Sequence, residues 1–337
     1  MAPLGEAEYL RRWRQRAMSP RYSIVCAAYN VEKYVDATIA SVIAQTESDW
    51  ELIIVDDGST DGTVDCIRGY RDDRITLIRQ ANGGASAARN TGIAASRGLR
   101  LMLLDSDDCL HPTALARLGA ALDAGGTVAS YGQCRIITDD GQVIGRLYRP
   151  RRGYPPSGDV LPLLLTRNLF VNGGHVCVVG AVAREIGGMR PDLPIAEDHE
   201  YWCRLAARGS IVYIGDEPPV LDYRLRSGSL YRQKGRDPAS HARVIEAIFG
   251  NSDLMGRFSP HEQRRLHRAA EATASWIIAR EHIRYGDWAT ARRFLAKSLL
   301  KKFNYKRAGV FFFALCGGAP KFIQHRFLDV RRYEFRR

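Results

Sequence analysis

Short apolar runs alternate with amphipathic stretches along the first hundred residues of the chain. Four runs are apolar enough to be buried β-strands, and the segments between them show helical apolar spacing or small residues. The predicted strands are 22–28, 51–55, 74–78 and 99–104, and the predicted helices are 36–46, 61–70 and 83–96. Strands and helices that alternate with short connections predict a parallel sheet covered by helices on both faces.

The pattern changes in the second half of the chain. Segments 128–137 and 142–148 flank Asp139-Asp140-Gly141, which predicts a β-hairpin. The other predicted elements are a helix at 159–167, a strand at 176–183, and helices at 196–208, 239–249, 261–285 and 288–302. The apolar segment 308–319 is too short to span a bilayer. We therefore expect a mixed sheet with late antiparallel strands, followed by a helical region.

Three carboxylates directly follow the fourth predicted strand. Asp105, Asp107 and Asp108, here called the acidic cluster, repel one another and cost desolvation free energy at the end of a buried strand. A divalent cation that also holds a phosphate would compensate them. The alternative is an acidic turn in which Asp107 or Asp108 caps the helix that starts near Pro112. Because ligands bind at the carboxyl ends of parallel strands, this cluster should lie near Asp57, which follows the second strand.

The positive charge of the chain is concentrated at one end. The formal net charge is +12, and residues 251–337 contain 19 Lys and Arg against 7 Asp and Glu, so the rest of the chain is neutral. Seven scattered cysteines without a Cys-x-x-Cys pair favour reduced thiols in a cytoplasmic protein over a zinc site or a disulfide framework. Residues 1–20 lack the apolar core of a signal peptide and form either a basic amphipathic helix or a disordered leader.

Four motifs in a fixed order resemble those of the family 2 glycosyltransferases, inverting enzymes with the GT-A fold. The motifs are SIVCAAYN at 23–30 followed by Gln45-Thr46, ELIIVDDGSTDGT at 51–63, NGGASAARNTGI at 82–93 leading to LLDSDD at 103–108, and GAVAREIGGMRPDLPIAEDHEYWCRLAARG at 180–209. The resemblance covers roughly residues 22–230. It implies an α/β, Rossmann-like GT-A nucleotide-binding domain with a mixed, mainly parallel sheet at 21–235. A leader at 1–20 would precede it, and a basic helical C-terminal region at 236–337 would follow.

The resemblance assigns donor-binding roles to several side chains. Ala27 and Tyr29 would line the nucleotide pocket, although Tyr29 could instead pack in the core. Asp57 would accept a hydrogen bond from the base, uracil or a similar one, and could also stabilise an Asx-type turn. Arg89 would approach the donor diphosphate or uridine; a structural salt bridge to the acidic cluster is the alternative.

The resemblance also implies a metal ion and a general base. Asp105 would touch the ribose or the metal shell, and Asp107 would bind Mg²⁺ or Mn²⁺, which neutralises the leaving diphosphate. Asp198 would take the proton from the acceptor hydroxyl, and its alternative role is to interact with a helix dipole. Glu197 is expected to bind the acceptor or to be structural. Trp202 could form a platform for a sugar face of the acceptor, but core packing is the favoured alternative.

One position departs from the family pattern. The segment LDYRLRSGSLYR at 221–232 resembles the part of these enzymes that closes over the donor, where many members carry a histidine that can ligate the metal. Here that position is Arg226, which cannot ligate a cation but can pair with phosphate. We therefore expect Arg226 to contact the donor and to supplement the metal, with weaker metal dependence as a consequence.

These features predict transfer of a sugar from a nucleotide-diphosphate donor, UDP-linked in the first instance, to a glycan or lipid-linked acceptor in surface polysaccharide or glycolipid synthesis. A non-catalytic nucleotide-sugar or glycan-binding module would not need intact Asp105, Asp107 and Asp198. A nucleotidyltransferase would need a Gly-rich loop with a lysine, and residues 27–32 offer none. The basic C-terminal region predicts either a helical cap with a solvated face or docking on the cytoplasmic face of an anionic membrane. No nucleic-acid recognition motif is present.

Overall fold

The structure is a computed structural model that describes residues 19–148, 155–226 and 235–315. The predictions for the leader, for loop residues 149–154, for 227–234 and for the end of the apolar segment at 316–319 lie outside these ranges. The strands are β1 Tyr22–Ala28, β2 Trp50–Asp56, β3 Ile75–Arg79, β4 Arg100–Asp105, β5 Cys109–Leu110, β6 Thr127–Tyr131, β7 Cys134–Ile137, β8 Val143–Arg146, β9 Val176–Val179, β10 Ser210–Tyr213 and β11 Leu221–Arg224. The helices are α1 Val35–Ile43, α2 Thr63–Arg68, α3 Ala85–Ala95, α4 Ala114–Asp123, α5 Leu161–Leu164, α6 Gly180–Glu185, α7 Glu197–Ala206, α8 Pro238–Phe249, α9 Ser252–Met255, α10 Pro260–Arg284, α11 Trp288–Lys301 and α12 Tyr305–Leu315.

The main sheet is mixed and mainly parallel, as the alternating pattern predicts. Its strand order is β10-β6-β9-β4-β1-β2-β3, and β1 pairs in parallel with both β2 and β4. Strand β9 is antiparallel to both of its neighbours, β4 and β6. A second sheet of order β5-β11-β7-β8 carries the hairpin predicted around Asp139.

The apolar runs form strands β1, β2 and β4 at the centre of the main sheet, where both of their faces are buried. Ile24, Leu52, Ile54 and Met102 are fully inaccessible to solvent. Helix α3 packs unusually closely on β1 at Gly92: a Cβ placed there would lie 2.2 Å from Cγ1 of Val25. The small residues of α3 thus allow a close approach that holds this helix, and the side chains it carries, at a fixed height above the sheet.

Two strand predictions are wrong in their extent. The predicted strand 128–137 is divided into β6 and β7, which belong to different sheets, because Gly132 and Gln133 between them lie outside both strands. The buried Gln133 side chain instead bonds both the N–H and the carbonyl of Tyr148. The predicted strand 176–183 ends at Val179, and the chain continues as α6. A short apolar run does not distinguish a buried strand from a buried helix turn.

Helices α11 and α12 and the C-terminal part of α10 pack around a small core of their own, lined by Ala279, Ile283, Ala291, Leu295, Val310 and Ala314. Helices α8 and α9 and the start of α10 instead join the main core, through Val244, Ile248, Leu254, Met255 and Leu266. Helix α10 begins with a reciprocal capping box between Ser259 and Glu262. Asp287 caps α11 by accepting a hydrogen bond from the backbone N–H of Thr290. Within the described ranges, no helix combines the length and the apolar character needed to cross a bilayer. The boundary at 235/236 stays a prediction.

Candidate active site

The carboxyl ends of the central strands meet at one edge of the main sheet. Asp56, the last residue of β2, is aligned with Ala28, and Asp105, the last residue of β4, is aligned with Ala27. Ala27 is half-buried at this edge, whereas the side chain of Tyr29 is 49% exposed. Tyr29 therefore does not pack in the core. Both residues lie where the donor pocket is predicted.

Asp57 anchors the loop that begins α3. Its carboxylate accepts hydrogen bonds from Gln80 Nε2 at 2.8 Å and from the backbone N–H groups of Gly83 at 2.9 Å and Gly84 at 2.7 Å. A carboxylate offers about four lone-pair sites, so these three donors leave at most one, on a residue that is 3% exposed. The turn contact expected of Asp57 is made instead by Asp56, which accepts from the N–H of Ser59 at 3.1 Å.

The acidic cluster consists of two accessible carboxylates and one structural carboxylate. Ligand oxygens of Asp105, Asp107 and Asp108 all lie within 4.8 Å of one another. Asp108 is fully buried and accepts hydrogen bonds from Asn172 Nδ2 and from the backbone N–H of Arg224. It does not cap α4, whose N-terminus has no side-chain cap, so the capping alternative is wrong for Asp108.

Burial and mutual repulsion disfavour the ionised form of this cluster. Desolvation, followed by the charge of Asp105, raises the pKa of Asp107 to about 6. Desolvation also raises the pKa of Asp108 well above its usual range, with further contributions from Asp107 and Asp105. The fully ionised cluster is therefore costly in these surroundings, and a nearby positive charge would stabilise it.

Two arginines supply part of this positive charge. Arg89 Nη2 lies 2.8 Å from Asp105 Oδ1, and Arg89 Nη1 lies 3.1 Å from Glu197 Oε1. Arg226 Nε lies 2.5 Å from Asp107 Oδ2. Burial alone would lower the pKa of Arg89, but the charges of Asp105 and Glu197 outweigh it and the pKa is raised. The salt-bridge alternative for Arg89 is thus present, and Arg226 faces the predicted metal ligand.

The remaining donor set fits a divalent cation. Asp105 and Asp107 keep 27% and 15% of their side chains exposed, so both can reach a ligand from the open side of the cluster. Their oxygens are the hard donors that Mg²⁺ and Mn²⁺ prefer.

The first turn of α7 presents the second carboxylate centre. Ala196, which precedes the helix, has a left-handed backbone with φ of 54°, and this turns the chain into α7. Asp198 Oδ1 accepts from the N–H of His199 at 2.7 Å, and Oδ2 accepts from Asn168 Nδ2 at 3.3 Å. Desolvation and then the charge of Glu197 raise the pKa of Asp198 to about 7. The carboxylate is therefore close to half ionised at neutral pH.

Two neighbours of Asp198 have structural roles. His199 Nε2 lies 2.6 Å from the carbonyl oxygen of Leu164, and burial lowers the pKa of the ring. The side chain of Trp202 is 1% exposed and packs edge-on against Phe170 and Tyr201, with ring centroids 5.4 and 5.2 Å apart. The favoured alternative for Trp202, core packing, is confirmed and the acceptor platform is not, because one turn beyond Asp198 the helix faces the core.

Comparisons with known proteins agree with this architecture. The sequence profile described as Glycosyl transferase family 2 matches residues 23–183. The succinoglycan biosynthesis protein ExoO of Rhizobium meliloti is 36% identical over 289 residues, which cover 81% of this chain and 80% of ExoO. The chain belongs to the family 2 glycosyltransferases.

Other relatives of this glycosyltransferase match over different lengths. The Escherichia coli protein UDP-Glc:alpha-D-GlcNAc-diphosphoundecaprenol beta-1,3-glucosyltransferase WfgD is 27% identical over 64% of this chain and 81% of its own. The uncharacterized glycosyltransferase EpsJ of Bacillus subtilis is 45% identical, but the match spans only 30% of each protein.

Solved structures confirm the GT-A fold of this glycosyltransferase. The mannosyltransferase PcManGT from Pyrobaculum calidifontis, in complex with GDP-Man and Mn²⁺, has a TM-score of 0.59 at 17% identity and covers 97% of this chain and 92% of its own. S. aureus TarS 1–349 in complex with UDP has a TM-score of 0.52 at 16% identity and covers 84% of this chain and 92% of its own.

Sequence reasoning missed three polar residues of the glycosyltransferase site. Asn168 bonds Asp198, and Asn172 bonds Asp108. Arg224 donates from Nε to the backbone carbonyl of Asp107 at 2.9 Å. The only signal for Arg224 was its spacing of two from Arg226, which places both side chains on one face of an extended segment. The asparagines gave no signal, because their partners are distant in sequence.

Proposed function

We propose that this protein is an inverting glycosyltransferase that moves a sugar from a nucleotide-diphosphate donor to a hydroxyl of a glycan or lipid-linked acceptor. The observation that carries the proposal is the bridge made by Arg89, whose two terminal nitrogens contact Asp105 and Glu197. One guanidinium thereby holds the acidic cluster close to the turn that presents Asp198. Such proximity is what a single displacement needs, with the leaving diphosphate on one side of the sugar and the base on the other.

A UDP-sugar is the proposed donor. Ala27 and Tyr29 would line the base pocket, and Asp57 has at most one acceptor site left for the imide N–H of uracil. TarS has been solved with UDP and with UDP-GlcNAc, and the name of WfgD specifies UDP-Glc. PcManGT has been solved with GDP-Man, so a GDP-sugar is the main competitor to be tested.

Asp107, with Asp105, would hold Mg²⁺ or Mn²⁺. A bound divalent cation would neutralise charge on the nucleoside diphosphate as it leaves. Arg89 and Arg226 lie against the same carboxylates and would add fixed positive charge there. Asp108 would keep its structural role, since its carboxylate already accepts hydrogen bonds from Asn172 and from the backbone N–H of Arg224.

Asp198 would be the general base. In the proposed step the acceptor oxygen attacks the anomeric carbon, the bond from that carbon to the diphosphate oxygen breaks, and the acceptor proton moves to Asp198. A pKa of about 7 suits this role, because the carboxylate is available at neutral pH and is still basic enough to take the proton. Asn168 would orient Asp198 through its amide N–H.

The acceptor is proposed to be an intermediate of surface polysaccharide or glycolipid synthesis, handled on the cytoplasmic face of a membrane. ExoO is named for succinoglycan biosynthesis, and the name of WfgD specifies a diphosphoundecaprenol-linked acceptor. The six cysteines in the described ranges are free thiols, which suits a reducing compartment.

The test is release of nucleoside diphosphate from a panel of UDP-, GDP- and dTDP-sugars with Mn²⁺ and a membrane lipid extract as acceptor. The wild type should turn over one donor class selectively. Asp198→Asn should lower kcat by about 10²–10⁴-fold without weakening donor binding, and Asp107→Ala should abolish the metal response.

Asp65→Asn, on the exposed side of α2, is the matched control and should behave as wild type. Equal turnover by Asp198→Asn would refute the base assignment. Donor binding without turnover in every arm would favour a binding module.

A further inference from the structure

The last two described helices expose an unusual set of large apolar side chains. Leu300, Phe303, Tyr305, Phe312 and Leu315 are 78, 76, 70, 63 and 58% exposed. They come from the end of α11, the connecting loop and α12, and together we call them the α11–α12 face. Single exposed apolar residues are ordinary, but five within sixteen consecutive residues mark an interaction surface.

Helical geometry places the α12 members of this set on one side of that helix. Tyr305, Gly309 and Phe312 are exposed at the i, i+4, i+7 spacing that defines one side of a helix, and Leu315 follows one turn later. The opposite side of α12 is buried through Val310 and Ala314, which pack in the small core shared with α11. The helix therefore uses two apolar sides, and only one of them has a partner within the described part of the chain.

Charge accompanies the exposed apolar residues. Residues 288–315 contain seven Lys and Arg and no Asp or Glu. Lys301 is paired with Glu271, and Arg307 is held by Ser298 and the carbonyl of Ala272, so these two serve the fold. Arg293, Lys297, Lys302 and Lys306 form no ion pair with a carboxylate of the described residues.

The exposed cations are interleaved with the apolar groups. Arg293, Lys297 and Leu300 are exposed at the i, i+4, i+7 spacing along α11. Lys297 lies over the ring of Phe294 at 5.0 Å, and Lys306 lies over the ring of Tyr305 at 5.4 Å. A surface that offers hydrocarbon, aromatic rings and cations within a few residues matches the boundary between lipid headgroups and acyl chains.

We infer that the α11–α12 face docks this protein on an anionic lipid bilayer. Each basic residue near such a surface contributes about 1 kcal/mol of attraction, and the aromatic and leucine side chains enter the headgroup boundary. A second copy of this chain is a poorer partner, because a two-fold contact would bring the same basic face against itself. A nucleic acid would satisfy the cations but would leave Leu300 and Leu315 without an apolar environment.

The inference adds a location to the proposed function and can be tested without catalysis. The full chain is sedimented with vesicles of phosphatidylcholine alone and with vesicles that also contain phosphatidylglycerol. We expect binding only to the acidic vesicles, with affinity that falls as salt is raised. The double substitution Lys297→Glu/Lys302→Glu should lower the partition coefficient at least about tenfold. Phe303→Ser/Phe312→Ser should weaken binding in low salt and in high salt alike.

Two matched variants control for nonspecific effects. Arg68→Glu/Arg71→Glu reverses two exposed charges near α2, and Val143→Ser/Ile144→Ser removes two exposed apolar residues from β8. Both should bind acidic vesicles as the wild type does. Wild-type protein that stays in the supernatant with acidic vesicles would overturn the inference. Equal losses in the control variants would do the same. A change of oligomeric state in Phe303→Ser/Phe312→Ser, with vesicle binding intact, would assign the face to a second copy instead.

Discussion

The strand-built region and the helical region treat their charged side chains in opposite ways. At the sheet edge, Asp105, Asp107 and Glu197 each have an arginine within hydrogen-bond distance, and Asp108 is held by an amide and a backbone N–H. On α11 and directly after it, the exposed cations Arg293, Lys297 and Lys302 have no carboxylate partner in the described ranges. Charge that is compensated internally fixes geometry, whereas charge left uncompensated is available to an external partner. Substitutions should therefore affect chemistry and stability in the first region and location in the second.

The largest expected effect tests internal compensation. Arg89→Met keeps an unbranched side chain but leaves Asp105 and Glu197 without their shared cation. Breaking a fully buried pair costs about 3–5 kcal/mol, and because these carboxylates are 27% and 22% exposed, the loss should lie below that range but above the loss for an exposed pair. Arg190→Met is the matched control. Arg190 also bridges to a carboxylate, Asp192, but the two side chains are 44% and 61% exposed, so its loss should cost about 0–1 kcal/mol. Urea denaturation of both variants measures the difference, and equal losses would contradict a special role for Arg89.

The second effect is a dependence on pH that belongs to the sheet edge alone. Because burial and Glu197 raise the pKa of Asp198 to about 7, the carboxyl group is mostly protonated below that pH and cannot accept the acceptor proton. Turnover at low acceptor concentration should thus fall about tenfold per pH unit below about pH 7 and level off above it. Initial rates from about pH 5 to pH 9 measure this limb. A limb near pH 4, the ordinary range of a carboxyl group, would contradict it.

A third prediction concerns Arg226, which pairs with Asp107, the proposed cation ligand, and would compete with a cation there. Arg226→Gln removes that competing charge, so the Mn²⁺ concentration for half-maximal activity should fall severalfold. Residual turnover in EDTA should fall as well, because the arginine no longer supplements the metal. Arg79→Gln, which disrupts a different arginine–aspartate pair at the sheet edge, should change neither quantity. Full wild-type activity in EDTA would remove the metal role altogether.

The smallest expected effect separates positioning from chemistry. Asn168→Ala removes one hydrogen bond to Asp198, worth about 0.5–1.5 kcal/mol, and should lower kcat by about 3–10-fold. That hydrogen bond favours the ionised form, so its loss should also move the acid limb of the pH profile to higher pH. Asn168→Asp is not a useful control because it adds charge, whereas Asn168→Gln should restore part of the rate. An unchanged pH profile would show that Asn168 does not act through Asp198.

The sequence was informative wherever function follows from the end of a strand. The apolar runs placed β1, β2 and β4, and parallel pairing brings Asp56 and Asp105 to one edge. It was uninformative about contacts between distant segments: Arg89 and Glu197 are 108 residues apart, and no local pattern predicts their ion pair. For a related reason, the segment 176–183 was assigned wrongly and Trp202 was left between an acceptor platform and the core. Their hydrophobic character indicates burial without specifying which neighbour covers them.

The close approach at Gly92 has a consequence for how this enzyme could diversify. Any side chain larger than hydrogen at that position would push α3 away from Val25, and Arg89 is carried one turn earlier on the same helix. The reach of the guanidinium toward Asp105 and Glu197 thus depends on the absence of a Cβ on the opposite side of the helix. Directed evolution of donor choice should tolerate many changes around Tyr29, while position 92 should accept almost none.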